Sequence, residues 1–248
     1  MTRLALLNIP EWTPRKPGNL KLWLDATRIT GLNDGDAITT WSDASGNGND
    51  ATQSVVARKP IYKVNIRNGK PVVRFSAASS QWMAIDNSAL PTQDFTVLIV
   101  YNATSTTVQK ALIGRAYNFG ALYMSVVANN DGTNPSKLRL VVDDLNSYST
   151  SGADGAWVIG VGRYDSAENK IYLNGANEDT DANAAGAVSY NANDAATIGA
   201  LRNTANATAS PFDGDIAEIL VYGAALSDAS RRRLENYVGK KYQITITW

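Results

Sequence analysis

The sequence predicts an all-β protein, an antiparallel sandwich or jelly roll with one helix near its C-terminus. Three observations predict it. About a dozen short β-rich runs recur, separated by turn residues every ~8–15 positions. Those runs alternate apolar with polar residues or are continuously apolar over a strand length. A helical period appears only after residue 226.

The elements follow in order. Residues 20–24 alternate and break at Asp25. Residues 37–41 end at Trp41 in a loop of Ser, Asp, Asn and Gly, where Gly and Asn suit positive φ. Residues 71–75 form another short run. Residues 95–101 (Phe-Thr-Val-Leu-Ile-Val-Tyr) are nearly all apolar, which predicts a strand buried on both faces. Residues 111–114, 121–128 and 138–142 continue the same style. Residues 157–164 and 170–173 flank a polar turn and predict a hairpin, closed on its far side by Asn174-Gly175. Residues 195–200 and 215–222 complete this series. Ser227 is placed to cap a helix whose stripe is Leu234, Tyr237, Val238 and Tyr242. Arg231, Arg232 and Arg233 are expected on its solvated face. Residues 243–248 alternate and predict a final strand, and the Ala/Asn-rich stretch 176–210 predicts long loops at one rim. Residues 1–17 read as an irregular arm before a single domain at 18–248, with no linker and no internal repeat.

Composition excludes several chemistries. The 248 residues include no Cys and no His, so disulfides, thiol nucleophiles, imidazole bases and Cys- or His-ligated metals are absent. Hydrolysis would have to run on carboxylates, and a metal would be a hard ion such as calcium. Lys and Arg number 23 and Asp and Glu 23, a balance that argues against nucleic-acid binding. No apolar run reaches the ~18 residues of a membrane span, and the N-terminus lacks the pattern of a secretory signal.

The chain also resembles a family. Leu22-Trp-Leu-Asp-Ala26, Trp41-Ser-Asp-Ala-Ser-Gly-Asn-Gly-Asn-Asp-Ala51 and Gly69-Lys-Pro-Val-Val-Arg-Phe75 carry the resemblance, with Tyr172-Leu-Asn-Gly175, Ile198-Gly199, Phe212-Asp-Gly-Asp-Ile-Ala-Glu-Ile-Leu-Val-Tyr222 and Leu226-Ser-Asp. Together they resemble the concanavalin A-like, laminin-G-like jelly-roll domains of phage virion and bacterial surface proteins, over nearly the whole chain. The resemblance implies a two-sheet antiparallel jelly-roll sandwich with a concave face. Carbohydrate or protein partners bind such faces or their rims, sometimes with calcium.

Two motifs have a chemical reading and a structural one. Asp213, Asp215 and Glu218 stand at i, i+2 and i+5, similar to the Glu-x-Asp-x-x-Glu strand of retaining endoglucanases of this fold. Asp213 would then hold the nucleophile position with a side chain one methylene short. The structural reading, which we adopt, has Asp213 and Gly214 serve a turn and Glu218 pair within the sheet. Asp43, Asn47, Asn49 and Asp50 could ligate calcium, but a turn in which Asp43 and Ser45 satisfy backbone donors is the reading we take.

Trp23, Trp41 and Trp157 sit in apolar alternation and are expected in the core. The carbohydrate-binding candidates are Trp82, Arg115, Tyr117 and Asn118, with Arg202 and Asn203 at the rim. The expectation is thus a non-enzymatic protein with no catalytic residues, no cofactor and no resident metal, calcium remaining open. Its implied setting is the virion, as a capsid-decorating or tail- or fibre-associated part, with the bacterial extracellular surface as the alternative. Its expected partners are neighbouring virion proteins and host surface glycans, not nucleic acid or membrane, and a homo-oligomer stays open. The alternatives are a carboxylate glycoside hydrolase and a calcium-dependent lectin.

Overall fold

A computed structural model of the protein describes residues 12–104, 108–116, 122–127, 136–143, 145–182, 186–203 and 208–248. In chain order the strands are β1 (Leu20–Asp25), β2 (Thr40–Trp41), β3 (Ala51–Thr52), β4 (Ile61–Arg67), β5 (Lys70–Phe75), β6 (Met83–Ala84), β7 (Phe95–Ala103), β8 (Lys110–Arg115) and β9 (Leu122–Val127). Then come β10 (Lys137–Val142), β11 (Leu145–Tyr148), β12 (Trp157–Tyr164), β13 (Asn169–Leu173), β14 (Ala176–Asp181), β15 (Asp194–Ile198), β16 (Leu201–Asn203), β17 (Thr208–Ala209), β18 (Gly214–Tyr222) and helix α1 (Asp228–Tyr242).

They form two antiparallel sheets. The eight-stranded sheet runs β14-β13-β12-β7-β18-β5-β4, with β1 also on β18. The ten-stranded sheet runs β11-β10-β9-β8-β15-β6-β3-β2, with β16 and β17 attached through β15. Side chains alternate across each strand, so one strand feeds two layers. In β7, Val97, Ile99 and Tyr101 point into the main core between the sheets, where Met124, Leu138 and Leu140 meet them. Leu98 and Val100 point the other way, into a second cluster with Leu234, Val238 and Tyr242 of α1. The continuous apolar run of β7 follows from this: it is buried on both faces. The helix therefore roofs the outer face of the eight-stranded sheet. Among the described residues, the outer face of the ten-stranded sheet carries a smaller cluster of Ala111, Ala116, Tyr123, Val141 and Leu201, all buried.

Turn chemistry is where the sequence placed it. Asn174 (φ 48°) and Gly175 (φ 94°) make the two-residue turn between β13 and β14, both left-handed as such a hairpin requires. Ser227 caps α1, its hydroxyl accepting from the Ser230 N–H.

Three expectations need correction. Residues 243–248 are not a strand. The chain leaves α1 through Gln243 in the left-handed region, and the Thr247 N–H donates to the Asn174 carbonyl at 2.8 Å. The tail thus docks on the β13–β14 turn instead of joining a sheet. The stretch 176–210 is not all loop, because it holds β14 to β17. Arg231 is not solvated. It is 2% exposed, hydrogen-bonds Glu235 and lies 3.7 Å from the Tyr172 ring. The end of the N-terminal arm folds onto its own domain: Trp12 packs on Tyr237, the Tyr222 hydroxyl donates to the Pro14 carbonyl at 2.7 Å, and Arg15 donates to Ser45 and Ala44. Residues 1–11 lie outside the described residues. No helix among the described residues is long and apolar enough to cross a membrane.

Candidate functional site

The acidic motif runs into β18, a strand buried on both faces. Ile216, Ile219 and Val221 face the main core, while Ala217, Leu220 and Tyr222 face the helix layer. A register shift between Ile216 and Glu218 marks a bulge, and it turns Glu218 toward the helix. So the bulge that would aim a carboxylate into a cleft is present, but here the face it serves is roofed. Glu218 is fully buried. It accepts from Trp23 Nε1 at 2.7 Å, Lys241 Nζ at 2.7 Å and the Tyr242 hydroxyl at 3.0 Å. Lys241 Nζ also lies 2.7 Å from Asp25 Oδ2, and Asp25 is the cross-strand partner of Glu218. Burial pushes the Glu218 carboxyl above the usual range, Asp25 pushes the same way, and Lys241 pulls it back.

The other two carboxylates are occupied elsewhere. Asp215 is held in a fork by Arg74, Nε on Oδ1 at 2.7 Å and a terminal nitrogen on Oδ2 at 2.8 Å. Asp213 accepts from the Ala77 N–H at 3.1 Å and the Thr104 hydroxyl at 2.8 Å, bracing the turn into β18. Each has its own structural partner, and the three do not converge on a shared opening.

The loop at 43–50 resolves as a turn. Asp43 Oδ1 accepts from the N–H groups of Trp23 and Ser45, and Oδ2 from the Asn49 N–H and the Ser45 hydroxyl. Asp50 accepts from the Asp43 N–H, while the Asn47 and Asn49 amides donate to the Lys21 carbonyl. These oxygens hold the loop against the start of β1. Among the described residues no cluster of three or more acidic side chains is arranged to hold a metal.

The carbohydrate-binding candidates separate. Trp82, expected exposed, is 7% exposed, and Arg202 covers it with its guanidinium carbon 3.5 Å from the ring centroid. Arg202 is itself 6% exposed. These two residues, 120 positions apart, form one stacked pair inside the rim and are not a free platform. Trp157 is half-buried at the edge of the helix layer, not in the main core. Arg115 stands apart, half-exposed, its guanidinium carbon 4.3 Å from the Tyr190 ring and its Nε without a hydrogen-bond partner. Tyr117 and Asn118 lie outside the described residues. Asn203 ends β16.

One cluster on the outer face of the ten-stranded sheet escaped the sequence reading. Arg139 lies between two rings, 5.4 Å from the Tyr123 centroid and 5.6 Å from that of Tyr148. Its Nε donates to Asn146 Oδ1 at 2.8 Å and another nitrogen to Gln109 Oε1 at 3.0 Å, which fixes the fork. Tyr148 is 39% exposed, an aromatic surface beside an amide and a guanidinium. The alternation of residues 137–142 pointed Arg139 outward. Nothing in the short run at 145–148 signalled that Tyr148 would join it.

Comparison with known proteins bears on the fold. The profile of the concanavalin A-like lectin/glucanases superfamily matches residues 77–230. No curated protein sequence matches the chain. Among solved structures, domain 4 of AbnA, a GH43 extracellular arabinanase from Geobacillus stearothermophilus solved with arabinotriose, superposes with a TM-score of 0.62 at 16% identity, over 88% of this chain and 98% of that domain. The receptor-binding domain of botulinum neurotoxin type G gives 0.60 at 14% identity, over 89% of this chain and 52% of that one. Trypanosoma rangeli sialidase gives 0.52 at 15% identity, over 90% of this chain and 33% of that one. At these identities the likeness is one of fold.

Proposed function

We propose that this chain, which belongs to the concanavalin A-like lectin/glucanases superfamily, is a non-catalytic recognition module that binds glycans around the exposed Tyr148 ring on the outer face of its ten-stranded sheet. The observation that carries this reading is the contrast between its two outer faces. The roofed face buries the Glu218 carboxylate under α1. The outer face of the other sheet presents an exposed Tyr148 beside an Arg139 fork already held by Asn146 and Gln109. A sugar ring needs such an aromatic surface with fixed polar groups around it, and prior fixing lowers the ordering cost of binding. An arabinanase domain of the same fold, solved with arabinotriose, supports a carbohydrate as ligand.

We place the module in a phage virion as a decorating or tail-associated part, with a bacterial surface as the alternative setting. Support for that setting comes from the motif resemblance, including the Trp41–Ala51 loop and the Phe212–Tyr222 strand. Mass spectrometry of purified particles tests it, and absence of the chain from them overturns it.

Glycan-array binding with the wild type and Tyr148→Ala tests the recognition role. The expected result is a glycan signal lost in the variant with an unchanged melting temperature, since the ring is already partly in water. No wild-type signal, or one that survives the substitution, overturns the Tyr148 site. Release of reducing sugar from a glucan, abolished by Glu218→Gln, overturns the non-catalytic reading.

A further inference from the structure

An open depression of about 520 Å³ lies between the end of β8, residues 87–94 and Lys21. Its wall is built where β8 ends. Arg115 there pairs across the ladder with Ala196 of β15, and the Ala196 N–H donates at 2.9 Å to Asn87 Oδ1, in the short turn at 87–89. The other side is formed by residues 90–94 and by Lys21 beside Gly223.

The charges in this cavity are unevenly matched. Asp94 lines it, but its Oδ1 accepts from the Ser166 hydroxyl at 2.7 Å. Asp86, just outside, accepts from the Ser88 N–H at 2.8 Å, and Ser88 together with the more distant Arg115 charge holds its carboxyl below the usual range. Among the described residues, neither Arg115 nor Lys21 makes a side-chain hydrogen bond or ion pair. Arg115 Nε is buried and unpartnered. The guanidinium is also held in place. It stacks 4.3 Å from the Tyr190 ring, and the Tyr190 hydroxyl donates at 2.8 Å to the Pro91 carbonyl in the cavity wall.

We propose that this cavity binds a carboxylate-bearing sugar residue, a hexuronic acid or a similar acidic glycosyl unit, with its carboxylate on Arg115. A planar guanidinium matches a carboxylate with two parallel hydrogen bonds, and the Lys21 ammonium adds a second positive charge. Thr92 and Gln93 supply hydroxyl and amide groups for sugar hydroxyls, and Leu90 and Pro91 an apolar flank for the ring. The volume falls within the range of small-ligand sites, which bury a compact ligand on several sides. A sugar unit uses this mixed lining, whereas an inorganic anion needs the cations alone and an extended acidic peptide needs a strand edge or groove. The proposal stands on this cavity alone and does not depend on the Tyr148 site.

The test is an NMR titration of the full chain with methyl glucuronide, methyl glucoside, acetate, inorganic phosphate and an aspartate tripeptide. The expected result is that the wild type binds the glucuronide at least tenfold more tightly than every other probe. That preference collapses in Arg115→Gln, is partly kept in Arg115→Lys and weakens in Lys21→Gln, with melting temperatures close to wild type. Tyr148→Ala leaves glucuronide binding unchanged. Equal binding of glucuronide and glucoside, a preference that survives Arg115→Gln, or acetate, phosphate or tripeptide binding as tightly as the glucuronide would each overturn the proposal. If Arg115→Gln does not fold, Lys21→Gln and the probe series on the wild type still decide.

Discussion

Replacing Lys241 with Met asks whether the carboxylates under α1 are part of the stability of the fold. Lys241 Nζ lies 2.7 Å from Asp25 Oδ2 and 2.7 Å from Glu218 Oε2, and both carboxylates are almost wholly shielded from water. Met keeps the stem and removes the cation, leaving two buried like charges as cross-strand partners. Breaking a buried ion pair from one side costs about 3–5 kcal/mol. For a chain of this length that corresponds to a melting temperature lower by roughly 6–20 °C. The sign with pH follows from Glu218, whose carboxyl is raised in the folded state by burial and by Asp25, with Lys241 opposing. Without Lys241 it is raised further. A raised carboxyl gives its stabilisation in full below its ordinary unfolded value and loses it as pH rises through the folded value. The gap between wild type and variant therefore widens from acid toward pH 8. Urea unfolding at several pH values measures it, and a double-mutant cycle with Glu218→Gln should give a coupling of about 2 kcal/mol or more. A loss below about 1 kcal/mol at pH 7.5, or one that is flat with pH, would refute the reasoning, because a surface ion pair behaves that way.

Two further substitutions check other parts of the molecule. Asp43→Ala strips acceptors from the N–H groups of Trp23, Ser45 and Asn49, and a loss of about 2–4 kcal/mol is expected in unfolding experiments. Millimolar calcium should leave the wild-type melting temperature where it is, since a ligand of the folded state alone would raise it. Burial pushes the Glu235 carboxyl up to about 7 against the pull of Arg231. Wild-type stability from this group is then complete below its ordinary value of 4.5 and falls as pH rises toward 7. Glu235→Gln should flatten that slope, by on the order of 2–3 kcal/mol across the window. A slope unchanged in the variant would assign it to another group.

What the sequence revealed, and what it hid, divides along contact distance. The apolar run of β7 announced a strand buried on both faces, and its side chains do alternate between two cores. The cap at Ser227 and the Asn174-Gly175 turn are local chemistry and were legible as such. β14 was not, because its Ala-Asn-Glu-Asp-Thr-Asp run has Thr180 as its one strand former and no apolar alternation. It is an edge strand, and its Glu178 and Asp179 accept from the N–H groups of Thr150, Ser151 and Tyr148 beside the other sheet's edge. Trp82 sits between polar Gln81 and Met83 and so reads as exposed. Only the β16 strand brings Arg202 across it. Arg231 and Glu235 are visible as an i, i+4 pair, but the Tyr172 ring that buries the arginine comes from β13. Tyr148 and Arg139 likewise meet only once β11 has paired with β10.

The roof over β18 decides what this copy of the fold can offer a ligand. A bulge and a carboxylate on one strand suit either a cleft or a staple, depending on what covers that face. Here α1 covers it, and Lys241 and Tyr242 reach down to Glu218 while Trp23 reaches across from β1. A carboxylate with these donors around it is withheld from solvent and substrate alike, so its contribution is to join helix and sheet. The proposed recognition then rests on surfaces whose polar groups are fixed: the Arg139 fork beside Tyr148, and Arg115 stacked on Tyr190 at the cavity wall. In both, an aromatic ring immobilises a guanidinium, and a cation ordered before binding loses little further freedom when a ligand arrives.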